Sequence, residues 1–328
     1  MNQDFKHIYF IGVGGIGMSA LARYFNNIEV SVFGYDKTPS PLTEQLAAEG
    51  IEITFEDEVN TIPKEINEDR KSLIVYTPAI PESSKILSYF RDQNYVLKKR
   101  AEVLGIVTNQ TYNLSVAGTH GKTTTSCMIS SILLHSSVKF SAFLGGISAN
   151  LGSNYFFQNG KGRHYSISEA DEFDRSFLHL SPVYALVTST DADHLDIYGT
   201  SEEIEKSFTL FSEKVVDRNH RFYAKGKANG IDGVSYSASD NTADYYASEI
   251  VQENRGTYFS ISNQQGDRIL ENLYLNIPGH HNLENAVGAS VMCLKAGLES
   301  EVIAQGLKNF AGIKRRFEVI IDTQDLTY

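Results

Sequence analysis

Gly118-Thr119-His120-Gly121-Lys122-Thr123-Thr124-Thr125 follows the apolar run Leu114-Ser115-Val116-Ala117 and precedes Met128, Ile129, Ile132 and Leu133, four apolar residues at helical spacing. A glycine-rich octet between a strand and a helix reads as a phosphate-binding loop in an α/β domain. Glycines let backbone N–H groups turn onto an anion, the Lys122 ammonium meets terminal phosphates, and the Thr123 hydroxyl completes the shell of a Mg2+ ion. The competing reading is an ordinary strand-to-helix turn. The threonines, read as capping the helix, and the helical apolar pattern behind them favour phosphate, so the expected ligand is a nucleoside triphosphate. The spacing departs from G-x-x-x-x-G-K-[ST], whose first glycine would fall at Val116.

Upstream, the apolar strand His7 to Val13 runs into Gly12-Val13-Gly14-Gly15-Ile16-Gly17, and a helix is expected from about Met18 to Asn26. A second strand, Val30 to Phe33, ends near Asp36, where dinucleotide folds place an acid on a ribose. Alone, this G-x-G-x-x-G reads as an NAD site, but it reports only that a diphosphate sits on a helix N-terminus. Further strands at Ser72 to Tyr76 and Tyr95 to Leu97 fit a small doubly wound sheet, and Lys98-Lys99-Arg100 reads as a solvated face. A boundary near Thr108 to Thr111 divides a Rossmann-like parallel-sheet domain, residues 1–109, from a P-loop α/β domain, residues 110–313.

Two more strand ends converge on the octet in such a sheet, because ligands sit beyond the carboxyl ends of the strands. The strand His164 to Ser168 delivers Glu169 where it stops, within Glu169-Ala170-Asp171-Glu172. Val183 to Thr188 runs into Asp191-Ala192-Asp193-His194-Leu195-Asp196. A hydroxyl, a carboxylate and an imidazole around phosphates are reasonable Mg2+ ligands, with His194 the unusual member. Asn282 and Asn285 share a helix face and could read a purine edge, or Asn282 could cap that helix. Arg315-Arg316 offers a fork-shaped cation, or a solvated basic stretch.

The chain has 328 residues, enough for two domains, and its 41% hydrophobic content gives each a core. A net charge of −11 argues against nucleic acid, so positive charge for phosphates must come from loops and helix ends. Cys127 and Cys293 carry neither metal nor disulfide spacing and are expected as buried thiols. No apolar run approaches the roughly 18 residues of a membrane span, and the start Met1-Asn2-Gln3-Asp4 lacks a secretory layout. A cytoplasmic protein is expected, and homodimerisation stays open.

Together these motifs resemble the Mur ligase family, the ATP-dependent amino-acid ligases of peptidoglycan assembly. The resemblance runs the length of the chain: the Gly12 to Gly17 loop, Gly34-Tyr35-Asp36, Arg100-Ala101-Glu102, the octet with His120, Gly145-Gly146, Glu169 to Glu172, Asp193 to Asp196, His281-Asn282 with Asn285, and Arg315-Arg316-Phe317. It implies that Gly118, Thr119, His120, Gly121, Lys122, Thr123 and Thr124 hold the phosphates of ATP, that Asn282 and Asn285 meet adenine, and that Arg316 contacts phosphate. It further implies Mg2+ on Thr123, Glu169 and His194, with Lys122, Glu169 and His194 as the catalytic set. The first domain would bind UDP instead of NAD, through Gly14, Gly15, Ile16 and Gly17 on the diphosphate and Asp36 toward the uridine.

The implied reaction transfers the ATP γ-phosphoryl to the muramoyl carboxylate of UDP-N-acetylmuramate, giving an acyl phosphate that the L-alanine amine attacks. His120 points to this branch, and tripeptide-adding murein ligases, which share it, are the nearest alternative. An NAD-dependent oxidoreductase is the alternative of another class, and it leaves the octet, Glu169 and His194 unused. Departures from the family pattern are Ser189 for a common Asn, Asp191 for a common Glu, and Thr77-Pro78 for a Ser-Ser pair. The resemblance also implies a third domain beginning at residues 314–328, with Phe317 to Ile321 and Leu326 to Tyr328 as strand fragments, and 328 residues that bind nucleotides without ligating.

Overall fold

The computed structural model describes residues 5–191, 198–253 and 255–314. The chain forms two compact units, residues 1–110 and 111–328.

In the first unit, β1 (His7–Ile11) has four buried residues of five, the pattern of a central strand covered on both faces. It pairs in parallel with β2 (Ser31–Tyr35) and β4 (Leu73–Tyr76); β3 (Glu52–Thr54) and β5 (Val96–Lys99) flank them, giving the order β3-β2-β1-β4-β5. The strand order reverses beside β1, so a ligand crevice is expected at the carboxyl ends of β1 and β4. The helices are α1 (Ile16–Asn27), α2 (Pro41–Ala48), α3 (Lys64–Glu68), α4 (Lys85–Asp92) and α5 (Arg100–Thr108). Met18, Leu21, Ala22 and Phe25 form the buried stripe of α1.

Two local expectations need correction. Helix α1 opens at Ile16 rather than Met18, because Gly15 serves as N-cap and the glycine loop itself supplies the first turn. Lys98-Lys99-Arg100 is not a solvated face: Lys98 and Lys99 end β5, and Arg100 opens α5, all three half-buried. The Lys99 N–H donates to Glu102 Oε2 at 2.7 Å, closing the helix start.

The second unit contains β6 (Tyr112–Ala117), α6 (Lys122–Leu134), β7 (Val138–Phe143), β8 (Tyr155–Gln158), β9 (Lys161–Ala170), β10 (Tyr184–Val187) and α7 (Ser201–Glu213). There follow β11 (Arg221–Ala224), β12 (Val234–Ser237), β13 (Tyr245–Gln252), β14 (Thr257–Asn263), β15 (Arg268–Leu275), α8 (His280–Lys295) and α9 (Ser300–Lys308). The sheet order is β15-β14-β13-β12-β11-β10-β6-β9-β7-β8, parallel from β13 to β7 and antiparallel at both edges.

Helix α6 is buried along nearly its whole length, against the sheet and beneath α8 and α9. At the α9 crossing, the Ser131 hydroxyl donates to the Gly306 carbonyl at 2.8 Å, and a Cβ at Gly306 would collide with Ile132 Cα. Strand β9 is longer than expected, so Glu169 lies inside the strand's last turn of pleat rather than beyond it.

Candidate nucleotide site

Strand β6 ends at Ala117 and α6 begins at Lys122, so the octet's first four residues, Gly118 to Gly121, are the whole connection and its last four open the helix. Gly121 is the N-cap at φ 83°, a left-handed conformation that glycine adopts without a Cβ penalty. Thr123, Thr124 and Thr125 therefore occupy the first turn and are not caps, contrary to the sequence expectation. The loop's first half is clasped by the segment after β10. Ser189 Oγ accepts the His120 N–H at 2.9 Å and lies 2.8 Å from Thr119 Oγ1, while the Thr119 N–H donates to the Ser189 carbonyl at 3.2 Å. The Thr188 hydroxyl donates to the Ala117 carbonyl at 3.1 Å and also to that of His120. Ser189, a departure from the family pattern, thus has a visible function in shaping the loop.

Lys122 and Thr123 each meet a carboxylate from the end of β9. Lys122 Nζ donates to the Gly118 carbonyl at 2.5 Å and to Glu172 Oε1 at 2.9 Å, with Oε2 at 2.8 Å. Glu172 is buried and Lys122 nearly so. The Thr123 hydroxyl donates to Glu169 Oε2 at 3.0 Å, and the Gly145 N–H donates to Glu169 Oε1 at 2.6 Å. Burial pushes the Glu169 pKa above the usual carboxylate range; the Gly145 and Thr123 hydrogen bonds pull it back only in part.

Lys122 and Thr123, though not the carboxylates they bond, line a cavity of about 750 Å³, a volume suited to a nucleotide. Thr119 to Thr124 form one wall; Lys227, Ile277, His281, Asn282, Glu284, Asn285 and Phe310 line it as well. Gly279, not Asn282, is the N-cap of α8, and Asn282 Nδ2 donates to the Pro278 carbonyl at 2.6 Å. Asn285 Oδ1 packs so close to Gly121 that a Cβ there would lie 2.7 Å from it. His194 and Arg316 lie outside the described residues. Among the described residues no group of three or more His, Cys, Asp or Glu is placed to hold a metal. The pairing of Glu172 with Lys122, and the presence of Lys227 and Glu284 in the wall, carry no local motif and were not read from the sequence.

In the first unit, Asp36 follows β2 and turns back on the glycine loop: its Oδ2 accepts the Gly14 N–H at 2.7 Å. Gly12, at φ 89°, accepts the Gly15 N–H at 3.2 Å through its carbonyl, leaving Ile16 and Gly17 to open α1. The Arg100 guanidinium packs on Gly17, where a Cβ would lie 2.9 Å from Nη1. A cation thus stands at this helix N-terminus, which the reading of residues 98–100 as a surface run missed.

Comparison with known proteins settles the lineage. The description "Mur ligase middle domain" matches residues 116–293, and "Mur ligase family, catalytic domain" matches residues 7–112. The chain belongs to the Mur ligase family. The UDP-N-acetylmuramate–L-alanine ligase of Flavobacterium johnsoniae is 46% identical over 328 residues, all of this chain and 71% of that protein. The Porphyromonas gingivalis enzyme of the same name is 44% identical over 97% of this chain and 70% of its own. Among solved structures, a UDP-N-acetylmuramate–alanine ligase from Thermotoga maritima superposes with a TM-score of 0.83 at 24% identity, over 97% of this chain and 72% of that one. At that identity the likeness concerns the fold. No helix among the described residues of this Mur ligase is long and apolar enough to cross a membrane.

The donor set of this Mur ligase fits a hard divalent cation. Thr123 Oγ1 and the Glu169 carboxylate are oxygen donors within 3.0 Å of each other, beside the ammonium expected to meet phosphates. Two protein oxygens plus phosphate oxygens and waters is how Mg2+ is usually held.

Proposed function

We propose that this Mur ligase uses ATP to join L-alanine to UDP-N-acetylmuramate. A muramoyl carboxylate oxygen attacks the γ-phosphorus and ADP leaves; the alanine amine then attacks the acyl carbon, the C–N bond forms, and phosphate leaves. The reading is carried by one observation: 46% identity to an enzyme of that name over the whole chain.

In this reading the octet's N–H groups and the α6 N-terminus receive the phosphates, and Lys122 neutralises terminal charge as two anions meet. Thr123 and Glu169, together with His194, hold Mg2+, which supplies charge neutralisation on the phosphates when bound. Asn282 and Asn285 face adenine, and Arg316 contacts phosphate. In the first unit, Gly14 to Gly17 receive the UDP diphosphate, with Asp36 on the uridine side and Arg100 beside it. We also propose that these 328 residues on their own bind the nucleotides without completing ligation, in a cytoplasmic setting.

Calorimetric titration with UDP-N-acetylmuramate, NADH and a non-hydrolysable ATP analogue in Mg2+ buffer tests the reading. Binding of the UDP sugar and the ATP analogue is expected, and binding of NADH alone would overturn it. An end-point assay with L-alanine and with a tripeptide would then show whether ligation occurs and on which amine.

A further inference from the structure

The cavity contains a second cation that the phosphate-binding loop does not use. Lys227 follows β11, is 44% exposed along the cavity wall, and its Nζ lies 3.5 Å from Glu284 Oε2. Glu284 sits in the first turns of α8 and is 4% exposed. Its Oε2 also accepts the Ala238 N–H at 3.1 Å, just past β12, while Oε1 has no hydrogen-bond partner. A buried carboxylate costs free energy unless a cation answers it, and Lys227 is the cation within reach.

Sheet order places this pair relative to the phosphates. Counting from β6, which carries the octet, β11 is the second strand over and β12 the third. At about 4.8 Å per strand, their ends stand roughly 10 and 14 Å from the octet strand, about the reach of an extended nucleoside triphosphate from terminal phosphate to base. The apolar Ile277 and Phe310 line the same cavity and offer a base something to lie against. Asn282 meanwhile has its amide N–H donating to Pro278. Because Glu284 offsets its charge, Lys227 presents a directed N–H donor with little net field, which suits uncharged acceptors better than phosphates.

We propose that Lys227 contacts the nucleoside end of the bound triphosphate, donating to a ribose or base acceptor, and that Glu284 is the residue that positions it. This rests on the ATP reading above. The test is calorimetric titration of the chain and its Lys227→Met, Glu284→Gln and Lys122→Met variants. Each is titrated with a non-hydrolysable ATP analogue and with inorganic tripolyphosphate, both with Mg2+, and melting curves confirm that each variant folds. Lys227→Met is expected to weaken the nucleotide about tenfold and tripolyphosphate less than about twofold, the loss of one charge-assisted hydrogen bond at the nucleoside. Glu284→Gln should show the same split with a smaller loss, which a merely structural role would not produce. Equal losses for both ligands would place Lys227 on the phosphates, and no loss for either would leave the pair idle; both results overturn the inference. Lys122→Met should weaken both ligands, and a wild-type chain that binds neither would bring down the ATP reading and this inference together.

Discussion

The Lys122 ammonium straddles the Glu172 carboxylate, at 2.9 Å from Oε1 and 2.8 Å from Oε2, while also donating to the Gly118 carbonyl at 2.5 Å. Two of its three donors are thus bonded, to Gly118 and to Glu172 Oε1, so the side chain expected to meet phosphate is already engaged within the protein. A phosphate arriving at the loop competes with a carboxylate for the same ammonium.

Glu172→Gln removes that competitor while keeping its shape. The ammonium is then left partly buried without a counter-charge, which destabilises the nucleotide-free protein and favours whatever anion enters. The expected result is a lower melting temperature without ligand and roughly fivefold tighter binding of a Mg2+-bound ATP analogue, about 1 kcal/mol. Weaker binding by calorimetry would mean instead that Glu172 keeps its hold on Lys122 when phosphate is present.

Gly145→Ala tests the other carboxylate. A Cβ at Gly145 would collide with Glu169 Oε2, the atom that accepts the Thr123 hydroxyl, so the carboxylate must leave its seat. Overpacking of this kind typically costs about 1–3 kcal/mol. The loss should fall on the Mg2+-dependent part of nucleotide binding, with affinity measured in EDTA nearly unchanged. Equal loss in both buffers would show that Glu169 does not serve a cation.

What was legible in the sequence was local structure dictated by neighbours. The octet and the Gly12 to Gly17 loop could be read because a tight turn, exposed amides and a helix start require particular residues within a few positions. Glu169 was readable because strand alternation places it at a strand end. The Lys122–Glu172 and Lys227–Glu284 pairs were not, since each joins elements far apart in the chain and no local pattern demands them. Strand β13 was unread for a different reason: its pairing with β14 shifts between Ser248 and Val251, with Glu249 at φ 53°, and such a bulge breaks the period of two. The supposed threonine cap of α6 failed because a left-handed Gly121 already turns the chain.

His164 gives a pH dependence with a definite sign. Its Nε2 lies 2.9 Å from Ser141 Oγ, and burial, with Lys139 nearby adding to the effect, lowers its pKa below 6.5. Between the folded value and 6.5 the unfolded chain binds more protons than the native one, so stability rises with pH there. The contribution is whole above about pH 6.5 and is lost as pH falls through the folded value. Thermal melts at pH 7.5 and 5.5 should differ less in His164→Gln than in the wild type. An unchanged difference would assign the acid sensitivity to other groups.

Asp36 separates two roles that its position at the end of β2 leaves together. Its Oδ2 accepts the Gly14 N–H at 2.7 Å, and a side chain on Gly14 would lie 2.8 Å from that oxygen, so loop and carboxylate are fitted to each other. Asp36→Ala strands a half-buried amide, a loss of about 1–3 kcal/mol, and frees the loop that the diphosphate is expected to contact. Asp36→Asn keeps an acceptor for Gly14 but removes the charge. If holding the loop is the main task, UDP-N-acetylmuramate affinity should fall about tenfold in Asp36→Ala and only slightly in Asp36→Asn, with the ATP analogue unaffected in both, because that site is built from the second unit's residues. Equal losses in the two variants would show that the negative charge itself meets the ligand, as expected of an acid on the uridine.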